Sequence, residues 1–231
     1  MARPGNLKQH IKQVLGGSAR EAVIEQILSH RPRRVINALI ARFYDADPVI
    51  RWRGIAAAGA VVARLADADR ESARVIMRRL MWMLNDESGG IGWGAPEAMG
   101  EIMAASPALA AEYAKILCSY VHPEQNYLEH PGLQCGLLWG LGRLAQAEPG
   151  RVKNAAAGIA AFLESADPYH RGFAAWALGN AGEPGNLQDL RRLTADRAEI
   201  EIFDHWHMQA VSVGELARQA VSKISPENKE D

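Results

Sequence analysis

Apolar residues recur at three- and four-residue intervals along most of this chain, while the strict alternation of a half-buried strand is nearly absent. Alanine, leucine, arginine and glutamate dominate the periodic segments, so they predict helices and an all-α chain. In "RVIMRRLMWML", Val75, Ile76, Leu80, Met83 and Leu84 follow the spacing of one buried stripe, and Met77, Met81 and Met83 read as core filler. Comparable amphipathic segments cover residues 33–44, 107–121, 149–164 and 186–194.

The helices are arranged in a repeat. Four segments align on a glycine preceded by small or apolar residues: "DPVIRWRGIAAAG" at Gly59, "GGIGWGAPEAMG" at Gly100, "HPGLQCGLLWGLG" at Gly142 and "DPYHRGFAAWALG" at Gly179. A fifth, "IFDHWHMQAVSVG", ends at Gly214. The glycines are 41, 42, 37 and 35 residues apart, the length of a two-helix unit. Pro48, Pro131 and Pro168 stand eleven positions before three of them. A proline in the first helical turn loses no intrahelical bond, and Asp47 or Asp167 before it can cap the open amides. Five helix pairs are therefore expected over residues 31–224, as one continuous stack. Two N-terminal helices, about 5–15 and 18–29 within residues 1–30, would cover its open apolar end. The polar stretch at 225–231 is expected to fray.

The strings "DPVIRWRGIAAAG" and "DPYHRGFAAWALGNAGEPGNLQDLRRL" resemble the HEAT-like repeat, in particular the short type named after phycobilisome lyases, and the likeness covers about residues 33–222. It implies a right-handed α–α superhelix, a HEAT-like solenoid in which the second helix of each pair lines the concave face. It also implies that Asp47 with Arg51, and Asp167 with Arg171, are ladder residues between neighbouring repeats. The fold carries scaffolds, lyases, hydroxylases and DNA glycosylases, so function has to be read from particular residues.

Those residues are sought where the repeat departs from its own pattern. The second copy has Ser88 and Gly92 at the Asp and Arg positions, the third His130 and Gln134, the fifth Ile202 and Trp206. In the second copy Glu87, Trp93 and Glu97 are candidate groups, and on a helix Trp93 and Glu97, four apart, would share a face. Gly89, Gly90, Gly92 and Gly94 mark either a tight turn or close approach of a ligand or partner backbone. The connection "YVHPEQNYLEHPG" is longer than its counterparts and carries Tyr127, Glu129 and His130. His170, His205 and His207 fall at corresponding turns. With His130 and Glu129 or Asp204 they offer metal-ligating groups, but His205 and His207 would diverge on a helix, and no metal or other cofactor is assigned. The family's di-iron hydroxylase uses His-Glu pairs at positions that here hold Trp52-Arg53, Trp93-Gly94, Cys135-Gly136, Gly172-Phe173 and His207-Met208, so that activity does not carry over. Trp139 and Trp176 match each other three positions before the glycine and read as packing residues.

Composition narrows the classes. Lys plus Arg total 26 against 27 Asp plus Glu, which disfavours a nucleic-acid backbone as partner. Cys118 and Cys135 form no metal or disulfide framework, no segment reaches the roughly 20 apolar residues of a membrane helix, and a reducing cytoplasm is expected. No nucleophile elbow or phosphate-binding loop is present. The reading is a non-catalytic scaffold that binds a protein partner through the concave face and turn edge, using Trp93, Glu97, Tyr127, Glu129, His130, Gln134, His170, Arg171, His205 and Trp206. The alternative is a HEAT-like enzyme, either an alkylpurine DNA glycosylase built on Trp93 and Glu97 or a chromophore lyase.

Overall fold

The computed structural model describes residues 4–85 and 92–225. Contacts divide the chain into two compact units. Unit 1 spans Met1–Ala111 together with Phe203–Met208, and unit 2 spans Glu112–Ile202 together with Gln209–Asp231.

Unit 1 opens with α1 (Pro4–Leu15) and α2 (Arg20–Leu28). Two helix pairs follow, α3 (Pro32–Ile40) with α4 (Pro48–Ala68), and α5 (Arg70–Leu84) with α6 (Ala95–Ala105). The helix α1 packs on α3 and α4, and α2 packs on α4. Asp47 and Asp69 accept backbone N–H bonds at the starts of α4 and α5, as short polar residues do where helical amides are open. Leu15, Ile27, Leu39, Ile55, Met77, Leu80, Met99 and Ile102 are fully buried. The buried stripe of α5 is Ala73, Ile76, Met77 and Leu80, whereas Val75 is exposed. Residues three and four apart from Ile76 share its face, and Val75 lies off it.

Helix α7 (Pro107–Ser119) is followed in unit 2 by α8 (Pro131–Ala147), α9 (Ala156–Ala160) within a run of 3-10 turns, α10 (Pro168–Ala181) and α11 (Leu187–Leu193). Pro48, Pro131 and Pro168 all stand at the first position of a helix. In α8 the N-cap is His130, whose Nδ1 accepts the Gly132 N–H at 3.1 Å in place of an aspartate.

The repeat glycines mark where second helices press together. A Cβ on Gly179 of α10 would lie 2.6 Å from Cα and Cβ of Ala220, on the final helix α12 (Val213–Ile224). One on Gly142 of α8 would fall 2.3 Å from the Trp176 ring of α10, which stacks on Trp139 with centroids 6.0 Å apart. In unit 1 a Cβ on Gly59 of α4 would sit 3.0 Å from Glu101 Cβ of α6. Only hydrogen in place of a methyl allows these approaches.

The fifth copy differs from the expected helix. Residues Glu199–Asp204 form β1 and His207–Ser212 form β2, paired as a two-stranded hairpin, and Gly214 falls at the start of α12. Alternation explains it: Ile200 and Ile202 are buried while Glu199 and Glu201 are exposed, the period-two signature of a strand. The turn residues His205 and Trp206 have φ of 45° and 72°, a conformation non-glycine residues adopt only when other contacts enforce it. Those contacts lie in unit 1. Trp206 is 3% exposed, its indole N–H donates to the Gly17 carbonyl at 3.2 Å, and its own carbonyl accepts Arg53 Nε at 3.3 Å. Arg53, itself buried, also donates to the carbonyls of Leu15 and Gly17. Phe203 stacks on Trp52 at 5.6 Å. Among the described residues no helix is long and apolar enough to cross a membrane.

Replacing Gly179 with Ala should lower stability by about 1–3 kcal/mol despite alanine's better helix propensity, because the facing Ala220 is backbone and cannot swing away. Gly150→Ala, where nothing lies within 4 Å of the new methyl, should stay within about 0.5 kcal/mol of wild type. Urea unfolding of the two variants checks this, and equal midpoints would refute the packing role.

Candidate functional site

Unit 1 carries an open, largely apolar groove of about 550 Å³ lined by Lys8, Asn37, Ile40, Ala41, Tyr44, Arg79, Trp82 and Met83. Its position follows from the register of α5. With Ala73, Ile76, Met77 and Leu80 turned to the core, Trp82 is left 65% exposed, and Tyr44, just beyond α3, is 52% exposed. Arg79 bridges α5 to α3 by donating to Asn37 Oδ1 at 2.6 Å. Burial raises the Tyr44 phenol above its ordinary pKa, while the charge of Arg79 opposes the shift. None of these residues belongs to the set expected from sequence. Trp82 lies inside the segment read as a core stripe, two positions after Leu80 and six after Ile76, off their three-and-four spacing.

The expected residues fall into three groups. Trp206, His170 and Gln134 are 3%, 5% and 7% exposed, which corrects their assignment to a partner surface. Trp206 is spent on the hairpin tip. His170 is held by Ser165 Oγ at 3.0 Å and by the Pro131 carbonyl at 3.0 Å. Gln134 donates to the Leu128 carbonyl at 2.7 Å and to the Tyr127 hydroxyl at 3.1 Å, so it pins the long connection before α8. Arg171 is also engaged internally, donating to Asp196 Oδ2 at 2.7 Å and to the carbonyls of Ser165 and Ala166.

A second group stays on the surface. Tyr127, Glu129 and His130 are exposed on the connection in unit 2, and His205 is exposed at the hairpin tip. The aspartates of the expected ladder act instead as caps, Asp47 on α4 and Asp167 on α10. Their arginines face an acid of a later segment, Arg171 with Asp196 and Arg51 close enough to Glu97 to favour its charge.

The third group is the glycine-rich turn. Glu87, Ser88, Gly89 and Gly90 lie outside the described residues. Trp93 and Glu97 do not share a helix face, because α6 starts only at Ala95 and Trp93 lies in the turn before it. The turn passes through Gly94 at φ 77°, where a Cβ would meet the Phe43 side chain at 2.8 Å, so no side chain fits. Glu97 is half-buried as a residue, yet its Oε2 is shielded from water and has no hydrogen-bond partner. Burial pushes its carboxyl up to about 7, against the opposing pull of its own backbone N–H and of Arg51.

Among the described residues, Cys135, Asp167 and His170 bring possible metal ligands within 4.8 Å of one another. Both ring nitrogens of His170 are occupied, and Asp167 Oδ1 caps Tyr169 N–H at 2.8 Å. A cation would have to displace bonds that hold α10 to α8.

No protein-family model and no curated protein matches this sequence. Solved structures do. An engineered protein is 15% identical, with 96% of this chain and 97% of that one covered at a TM-score of 0.55. A designed armadillo repeat protein solved in complex with a (KR)4 peptide is 15% identical, covering 94% and 99% at 0.51. An archaeal HEAT-like repeats protein from Thermococcus onnurineus NA1 is 16% identical, covering 95% and 80% at 0.41, too loose a superposition to carry weight. The fold is a predominantly α-helical repeat similar to that of a designed armadillo repeat protein, while the HEAT-like and phycobilisome-lyase resemblances rest on the sequence strings.

Because the folded protein holds the Glu97 proton more tightly than the unfolded chain does, its ionisation favours unfolding. Stability relative to Glu97→Gln should therefore fall as pH rises from about 4.5 through about 7, by an amount on the order of 2–3 kcal/mol, and level off above. Urea titrations of both proteins across this window test it. Parallel profiles would mean that the carboxylate is solvated.

Proposed function

We propose that this chain is a non-catalytic interaction scaffold that docks a protein segment in the groove bordered by α3 and α5. The observation that carries the reading is the pair of exposed aromatics, Tyr44 and Trp82, standing at one groove beside Arg79. Tyrosine and tryptophan supply large contact area with few rotors lost, and together with arginine they dominate binding hot spots. The designed armadillo repeat protein of similar fold holds a peptide, so stacked helix pairs suffice for such docking. This surface lies on the first helices of the pairs rather than on α4 and α6, where the resemblance put the concave face. Tyr127, Glu129 and His130 supply a second exposed patch, on unit 2.

One observation favours an enzymatic reading: an acid with pKa about 7 and a free oxygen suits general acid–base work. Incubation with alkylated duplex DNA would expose glycosylase activity, and turnover that Glu97→Gln abolishes would replace the scaffold reading.

The scaffold reading is tested by panning a random twelve-residue peptide library against the full-length protein. Enriched peptides should bind a Tyr44→Ala, Trp82→Ala double variant at least about tenfold more weakly, with its thermal melt unchanged. Equal binding to that variant would place docking elsewhere, and Tyr127→Ala then reports on the unit 2 patch.

A further inference from the structure

The groove's chemistry also selects among partners. Its lining includes the apolar Ile40, Ala41 and Met83 and the aromatic Tyr44 and Trp82. The two charged groups lining it are Lys8 and Arg79, both cations, and none of the eight lining residues is a carboxylate. Nearby arginines are neutralised, Arg33 by Asp69 and Arg78 by Glu71. By contrast, among the described residues neither Lys8 nor Arg79 is paired with a carboxylate, and the partner of Arg79 is the neutral amide oxygen of Asn37. That bond uses one donor of a guanidinium that has five, so the fork keeps capacity for a planar anion.

On the reading that this groove docks a protein segment, we infer that its partner is acidic and amphipathic, presenting an apolar or aromatic side chain to the apolar lining and a carboxylate to Arg79 and Lys8. The apolar part displaces water from Ile40, Met83 and the two rings. The carboxylate meets Arg79 as a charge-assisted, two-pronged hydrogen bond, and Lys8 adds an untargeted point charge from α1. Asn37 holds the guanidinium in place before the partner arrives, which lowers the ordering cost of the contact. An enclosed pocket for a small molecule would bury its aromatic walls, whereas Trp82 stands largely in water, as a residue awaiting a larger surface does. A basic segment is rejected by the same pair of cations.

The test uses the full chain, wild type beside Arg79→Glu and Trp82→Ala, each panned with the random twelve-residue library and followed by titration of one synthetic enriched peptide. Thermal melts confirm that each variant is folded. Wild type should enrich peptides with at least one carboxylate near an aromatic or leucine. Arg79→Glu should shift enrichment toward lysine and arginine and weaken the wild-type peptide about tenfold or more. Raising the salt should weaken that peptide on wild type and leave its residual binding to Arg79→Glu nearly unchanged. Enriched peptides that are neutral or basic yet lose binding on Trp82→Ala would overturn the acidic class and leave the docking groove standing. Peptides whose binding ignores Trp82→Ala would overturn both.

Discussion

Contact between second helices sets the geometry on which the rest of the molecule depends. At Gly179 the neighbouring backbone is so near that a methyl would meet Ala220 at 2.6 Å, and at Gly142 the Trp176 ring occupies the space a side chain would take. Glycine normally weakens a helix by up to about 1 kcal/mol relative to alanine. Here the loss is offset by the closeness of two packed helices, with Leu137, Leu138, Trp139, Leu178 and Ala217 buried around those contacts in unit 2. The repeat seen in the glycines is thus a repeat of helix crossings.

Unit 1 adds a polar junction of a different kind. Arg53 is buried with no carboxylate partner among the described residues, and carbonyls of Leu15, Gly17 and Trp206 receive its guanidinium N–H groups. Desolvation draws its pKa down and Asp47 opposes the shift. Two of these carbonyls, those of Leu15 and Gly17, lie at or just beyond the C-terminal end of α1, where a helix presents unpaired acceptors and partial negative charge. One side chain therefore closes a helix end and holds the left-handed turn at His205 and Trp206. Losing it would leave several buried carbonyls unsatisfied at once.

The candidate surfaces and the buried departures from the repeat separate along one physical line. Gln134 and Trp206 break the Asp-Pro-x-x-Arg pattern but are buried, as a loop anchor and a hairpin plug, while His130, also a departure, caps α8 and stays exposed. A broken structural motif had been replaced by other structural devices. Tyr44 and Trp82 sit where the repeat is regular, and the departure of Trp82 from the Ile76–Leu80 spacing is masked by the apolar residues on either side of it. Exposure of Trp82 depends on a rotation of α5 by one residue, about 100° around the axis, which a run as apolar as "MWML" leaves undecided.

From the sequence alone came the helix pairs before the fifth, their period, the proline-marked starts with their caps, and the two N-terminal helices, because these depend on local propensity and on side chains a few residues apart. The hairpin was also written locally, in the alternation of "EIEIF", yet its left-handed turn at Trp206 is held by residues some 150 or more positions away. Tertiary structure alone decided which tryptophans are buried, which acid loses its water and which cations meet no carboxylate among the described residues. Those outcomes depend on what packs against each face, and sequence spacing does not specify the neighbour.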